Sequence, residues 1–120
     1  MAKFLFSYRA PVDYTLGHPD SRSAWAAWFQ GMGSQLADVG QPVREARQIG
    51  DCGSGQRLAG YTVVTADSLE AALALARGCP GLQHGFGIEV GALADPADAL
   101  ADSGAGAATT ASAARTASPA

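Results

Sequence analysis

Apolar and polar residues alternate through residues 3–8, with Phe4, Phe6 and Tyr8 set against Leu5 and Ser7. A period of two with apolar side chains on both faces predicts an interior strand. Pro11, Asp13, Gly17 and Pro19 follow in a run that favours an irregular loop over a ladder. Asp20 or Ser21 can cap the next element, because Trp25, Trp28, Phe29, Met32, Leu36 and Val39 step by three or four residues. That spacing predicts one buried stripe on a helix ending near Gly40. Gly31 and Gly33 each cost about 1 kcal/mol against alanine inside it, so close packing or a bend is expected there.

Residues 43–49 read as a poorer strand. Arg44, Glu45, Arg47 and Gln48 leave little to bury and fit a charged sheet edge. Gly50 to Gln56 supplies a loop. Residues 58–65 then place Gly60, Thr62 and Val64 on one face and Ala59, Tyr61 and Val63 on the other, a second interior strand. Asp67 and Glu70 have capping-box spacing ahead of a helix whose stripe is Leu69, Ala72, Leu73 and Ala76. Gly78 ends that helix, and residues 83–90 close the set as a strand with His84, Phe86, Ile88 and Val90 on one face.

A strand–helix–strand unit thus occurs twice, and Gly40-Gln41-Pro42 and Gly78-Cys79-Pro80 echo one another as the segments following the helices. The expected fold is α+β: a ferredoxin-like βαββαβ sandwich with an antiparallel four-stranded sheet. A split βαβ arrangement puts the first and third strands in the centre and the second and fourth at the edges. Two helices cover one face of such a sheet, yet the central strands are apolar on both. The other face calls for a partner, and the sheet of a second copy supplies one, giving a homodimer.

Composition narrows the folding unit. Twelve of the final 28 residues are alanine, and no Leu, Ile, Val, Met or aromatic residue follows Leu100. Residues 1–92 are therefore the expected domain, and 93–120 an Ala/Ser/Thr-rich tail too poor in apolar area to offset chain entropy, with a transient helix open to it near 97–102. The formal net charge of −3 comes without any cluster of cations, which speaks against nucleic acid as a partner. No apolar run approaches the roughly 20 residues of a membrane span, and the start is too short for a signal peptide. A soluble cytoplasmic protein is the expectation. Cys52 and Cys79 form no CxxC, and with two histidines no zinc quartet arises, so free thiols and no metal or other cofactor are expected. The glycine-rich loop at 50–55 lacks the Gly-Lys-Ser/Thr of a phosphate-binding loop and precedes a strand.

The segments Leu58-Ala59-Gly60-Tyr61, Ala66-Asp67-Ser68-Leu69-Glu70-Ala71-Ala72, Gly78 to Gly85 and Ile88-Glu89-Val90 resemble the YCII-related (DGPF) family in order and spacing. The resemblance implies a dimeric α/β barrel of ferredoxin-like subunits. It also implies, for the enzymatic members, a lyase or isomerase similar to muconolactone isomerases or dehydrochlorinases and using a His and Asp pair. Two departures accompany it. Gly50-Asp51-Cys52-Gly53 stands where Asp-Gly-Pro-Phe is expected, and Trp28 and Phe29 occupy the helix region where the family carries a histidine, although Asp38 fits the aspartate.

Two functions follow as expectations. In one, the protein is a non-catalytic dimer that binds a small molecule in the cleft between helix and sheet. Tyr8, Trp28 and Tyr61 are its candidate contacts, with core packing as the plain alternative for each. In the other, His84 is a general acid/base facing an apolar layer, with Asp38 as its orienter. A hydrogen-bonded structural histidine and a solvated helix-end aspartate are the plain alternatives.

Overall fold

The computed structural model describes residues 1–14 and 19–98. The chain divides into two units, Met1–Ala46 with Ser54–Leu93, and Arg47–Gly53 with Ala94–Ala120. The first unit holds an antiparallel four-stranded sheet and the helices that pack on it, an α+β arrangement compatible with a ferredoxin-like fold. Its elements are β1 (Ala2–Pro11), α1 (Pro19–Met32), β2 (Leu36–Asp38), β3 (Gln56–Ala66), α2 (Leu69–Ala76) and β4 (Gly87–Ala92). The strand order is β2-β3-β1-β4, so the two strands with the strongest alternation lie in the centre.

Alternation becomes burial directly. Phe4, Phe6, Tyr8 and Ala10 of β1 face inward, and the register sets Phe4 opposite Val64, Phe6 opposite Thr62 and Tyr8 opposite Gly60. Paired residues of an antiparallel sheet share a face. Ile88 and Val90 of β4 therefore join this layer, opposite Tyr8 and Phe6. Trp25 and Trp28 of α1 and Ala72 and Ala76 of α2 close it from above. Alanine at both α2 positions lets that helix sit close to the sheet, leaving volume for the large rings of α1. The opposite face carries Leu5, Tyr61 and Val63, and neither α-helix covers it.

Several expectations are corrected. The first helix ends at Met32 and not near Gly40, because Gly33 takes a positive φ of 56° and closes the helical run with a short 3-10 turn over Gly33–Gln35. Leu36 and Val39 continue the three-and-four spacing in sequence only. Leu36 instead pairs with Val64 in β2, so the Gly40-Gln41-Pro42 segment follows a strand and not a helix. Residues 43–49 form no ladder. The backbone meets β3 there through an isolated Pro42–Gly60 bridge and the bond from the Val43 N–H to the Ala59 carbonyl, 2.8 Å. Beyond it Arg44, Glu45, Arg47 and Gln48 offer no apolar face to dock.

The cap of α2 is Ser68, whose hydroxyl accepts from the Ala71 N–H at 3.1 Å, one residue later than the expected Asp67. Glu70 then stands in the first turn, where its charge suits the helix dipole. The final strand starts at Gly87, because Pro80 opens a 3-10 turn over Pro80–His84 and Gly85 closes it at a φ of 84°. Gly81 is required inside that turn, since a Cβ there would lie 2.8 Å from the Phe86 ring. The ladder also reaches past residue 92, with the Leu93 N–H donating to the Lys3 carbonyl at 3.0 Å.

In the second unit the Asp51 carboxylate accepts from the Gly53 N–H at 3.2 Å, and residues 96–98 take helical backbone. The expected tail lies outside the described residues from 99 onward, as do residues 15–18 of the expected loop. No helix among the described residues is long and apolar enough to cross a membrane.

Candidate functional site

A cavity of about 540 Å³ opens in the first unit, on the face of the sheet that carries the helices. One wall is α1, through Arg22, Trp25, Ala26 and Phe29; the other is the strap of residues 39–44 that crosses β3 after β2. Tyr8, Thr62 and the backbone of Ala59 and Gly60 form the floor, and Tyr14 and Phe86 close one end.

The aromatic wall follows from the helix stripe. Trp25 meets Tyr8 edge to face at 5.0 Å, Phe29 at 5.9 Å and Phe86 at 6.0 Å, and Phe86 meets Tyr14 edge to face at 4.7 Å. Each ring is thereby held by its neighbours, so the wall is built before any ligand arrives.

The strap is held by polar groups that the sheet would otherwise bury unpaired. Thr62 sits fully buried opposite Phe6, and its hydroxyl accepts from the Tyr8 phenol at 2.7 Å and donates to the Val39 carbonyl at 3.0 Å. The Gln41 carbonyl accepts from the Tyr61 N–H at 3.3 Å. Arg57 ties the strap to the closed end, donating to the carbonyls of Val43 at 3.0 Å and Tyr14 at 3.2 Å. The approach of strap to strand is close enough to need glycine: a Cβ at Gly60 would lie 2.8 Å from the Gln41 carbonyl oxygen.

Tyr8 lines the cleft from its floor, and Tyr61, which the register sets opposite Ser7 on the other face of the sheet, borders it where its backbone N–H meets the strap. Trp28 does not line it. Its indole N–H donates to the Leu75 carbonyl at 3.1 Å and its ring stacks on Phe6 at 6.0 Å, so it joins α1 to α2 within the core.

The structure does not bring His84 and Asp38 together. His84 is exposed in the 3-10 turn before β4 and not on an apolar strand face. Asp38 is exposed on β2, where its carboxylate accepts from the Gly40 N–H at 2.9 Å. Asp38 pairs with Val63, itself opposite Leu5, whereas Gly87 pairs with Arg9 and His84 lies beyond it. Three strand spacings across the sheet and four residues along it put the backbones of Asp38 and Gly87 roughly 20 Å apart. Neither residue lines the cavity.

Sequence reasoning missed the strap and Thr62. The available signal was a threonine at an inward position of an otherwise apolar alternation, because a buried hydroxyl requires partners. Arg22 and Arg44 were also missed; they are the charged side chains of the lining.

Burial raises the acidities that matter here. It holds the Tyr8 phenol well above its ordinary range, outweighing the lowering effect of the Thr62 hydrogen bond, with nearby Cys79 acting in the same direction as burial. Burial likewise raises the Cys79 thiol from 9.0 to about 11. Neither group is an anion at neutral pH, so Tyr8 acts in the cleft as a neutral, fixed donor. Both folded-state values lie above the unfolded ones, so the stability they contribute is full below about pH 9 and is lost as pH rises toward 11. The unfolding free energy, and the melting temperature with it, is therefore expected to fall between pH 9 and 10.5 by up to about 1.4 kcal/mol per pH unit through the thiol, with the phenol adding to the decline only above about pH 10. Cys79→Ala should flatten the first part of that decline, and a wild-type melt unchanged from pH 8 to 10 would show that the thiol is not held neutral.

Comparison with family models, with curated proteins and with solved structures gives no match to this chain.

Proposed function

We propose that the protein is a homodimeric, YCII-like cytoplasmic binding protein that holds a small aromatic molecule in the cleft between α1 and the strap, without a catalytic step of its own. The observation that carries this reading is the pre-built aromatic wall around a cavity of about 540 Å³, a size within the ordinary range of small-molecule sites. Four ring-to-ring contacts hold that wall in place, so little ordering cost is left to oppose binding. Acid–base chemistry through His84 would need a partner carboxylate within reach and a substrate beside the ring. Both conditions are remote from the cleft.

The dimer rests on the uncovered sheet face. Leu5, Tyr61 and Val63 form its apolar centre, and the register places Arg9 and Glu89 on the same face, opposite Gly87 and Ser7 respectively. A two-fold axis through such a face can set each Arg9 near the Glu89 of the second copy, which is the self-complementary pattern of an isologous interface. Sheet-on-sheet contact of this kind gives the dimeric barrel that the YCII resemblance implies.

Native mass spectrometry of the full chain reads both parts at once. The expected spectrum is a dimer at micromolar concentration that carries a small-molecule adduct from the expression host, or takes one up from a library of aromatic compounds. A monomer would refute the barrel. A dimer that takes up no aromatic compound would refute the binding reading.

A further inference from the structure

The structure assigns the cleft a ligand that enters hydrocarbon end first: an aromatic ring system whose inner end carries no hydrogen-bond acceptor and whose polar substituent stays at the mouth. This inference rests on the binding reading above and adds the ligand's polarity and orientation to it.

The gradient of burial along the lining sets the orientation. Tyr8, Ala59, Gly60 and Thr62 on the sheet side are buried, as is Phe86 at one end. The exposed residues of the lining belong to the two walls, among them Arg22 and Ala26 on α1 and Gln41 and Arg44 on the strap. The cleft therefore opens between helix and strap and closes on the sheet. Among the described residues of the lining, charged side chains occur only at exposed positions and none at a buried or half-buried one. A polar substituent keeps its water at the mouth and would surrender it on the floor.

The floor offers no hydrogen bond in exchange for that water. Its polar side chains are Tyr8 and Thr62. The phenol donates to the Thr62 hydroxyl at 2.7 Å, and that hydroxyl donates its own proton to the Val39 carbonyl at 3.0 Å. A hydroxyl has a single proton to give, so neither has one left for a ligand. Burial keeps the phenol protonated, so the floor holds no charge either. The strap turns its backbone groups the same way, toward the protein. The Val43 N–H donates to the Ala59 carbonyl at 2.8 Å, and the Gly40 N–H to the Asp38 carboxylate at 2.9 Å. Ring faces remain, and they favour apolar contact. A carbonyl or other acceptor driven to the floor would lose its water and gain no donor, whereas a hydrocarbon edge loses nothing there.

The test uses the full chain and a matched pair of probes, 6-isopropenyl-2-naphthoate and 6-acetyl-2-naphthoate. The two share a shape and a carboxylate for the mouth, and differ at the other end in a methylene carbon against a carbonyl oxygen. Binding is read by tryptophan emission, and the pose by nuclear Overhauser contacts from the 6-substituent. The isopropenyl probe is expected to bind at least about tenfold more tightly, the loss due to a carbonyl that gives up water without a partner. Its 6-substituent should contact the rings of Tyr8 and Phe86. Thr62→Val frees the phenol proton for the ligand, so the ratio between the probes should narrow in that variant; the wild-type comparison decides the matter if the variant does not fold. Equal affinities, contacts from the 6-substituent to Arg44 in place of Tyr8, or a ratio that stays fixed in folded Thr62→Val overturns the inference while leaving the cleft as a binding site. Failure of both probes and of 2-naphthoate to perturb Trp25 emission overturns the binding reading with it.

Discussion

Gly40→Ala is expected to lower the unfolding free energy by at least about 3 kcal/mol and to abolish binding in the cleft. Gly40 holds a φ of 75°, and a Cβ built there would lie 1.7 Å from the carbonyl oxygen of Tyr61 and 2.6 Å from its carbon. Those are backbone atoms of a central strand, so the strap must move. Moving it breaks the bond from Tyr61 to Gln41 and strips the Thr62 hydroxyl of its acceptor on Val39. The left-handed conformation costs a side-chain-bearing residue roughly 1–2 kcal/mol, and each lost hydrogen bond with a buried partner adds about 1 kcal/mol or more. Gly33→Ala separates the two contributions, because Gly33 also has a positive φ, 56°, but nothing lies within 4 Å of its Cβ position. That variant should lose only the conformational part. Equal melting temperatures for the two variants would mean that the strap does not press on β3.

That contrast also shows where sequence could and could not reach. The central strands were legible because their alternation and their burial have one cause: a period of two on a sheet with a covered face. The end of α1 was not, since Leu36 and Val39 fall in phase with a helical stripe while belonging to a strand and a strap. Periodicity cannot distinguish a continuing helix from a chain that turns and happens to keep its phase; only the glycine at position 33 marked the break. The α2 cap was misplaced by one residue because Asp67 and Ser68 both cap well, and the observed choice depends on where the helix docks. The two cleft tyrosines could be named from their strands. Their surroundings could not, because the strap of residues 39–44 has no period and is positioned by bonds to Thr62, Tyr61 and Arg57 from far along the chain. His84 looked functional only through the strand assigned to it, and Pro80 and Gly85 remove that strand.

Trp28→Ala is expected to cost about 3–5 kcal/mol, the range for deleting a large aromatic side chain from a core. Three contacts set that magnitude. The indole stacks on Phe6, which is 0% exposed at the centre of β1, with the ring planes 15° apart. Its N–H caps the Leu75 carbonyl in the last turn of α2, 3.1 Å away. Its edge also fills the space beside Gly78, where a Cβ would lie 3.2 Å from the indole nitrogen. Truncation therefore leaves a cavity between two helices that the same side chain joins, and the Leu75 carbonyl keeps only its backbone bond from the Gly78 N–H, 3.2 Å. Trp28→Phe keeps most of the burial and gives up the hydrogen bond, so it should cost only about 1 kcal/mol. Urea unfolding followed by circular dichroism measures both, and Trp25 remains as a fluorescent reporter of the cleft. Because Trp28 stands behind the cleft wall, 2-naphthoate affinity of the folded fraction should change little in Trp28→Phe. A mild loss of stability in Trp28→Ala together with lost probe binding would instead place the indole in the cleft itself, and the division of α1 into a core-facing Trp28 and a ligand-facing Trp25 would be wrong.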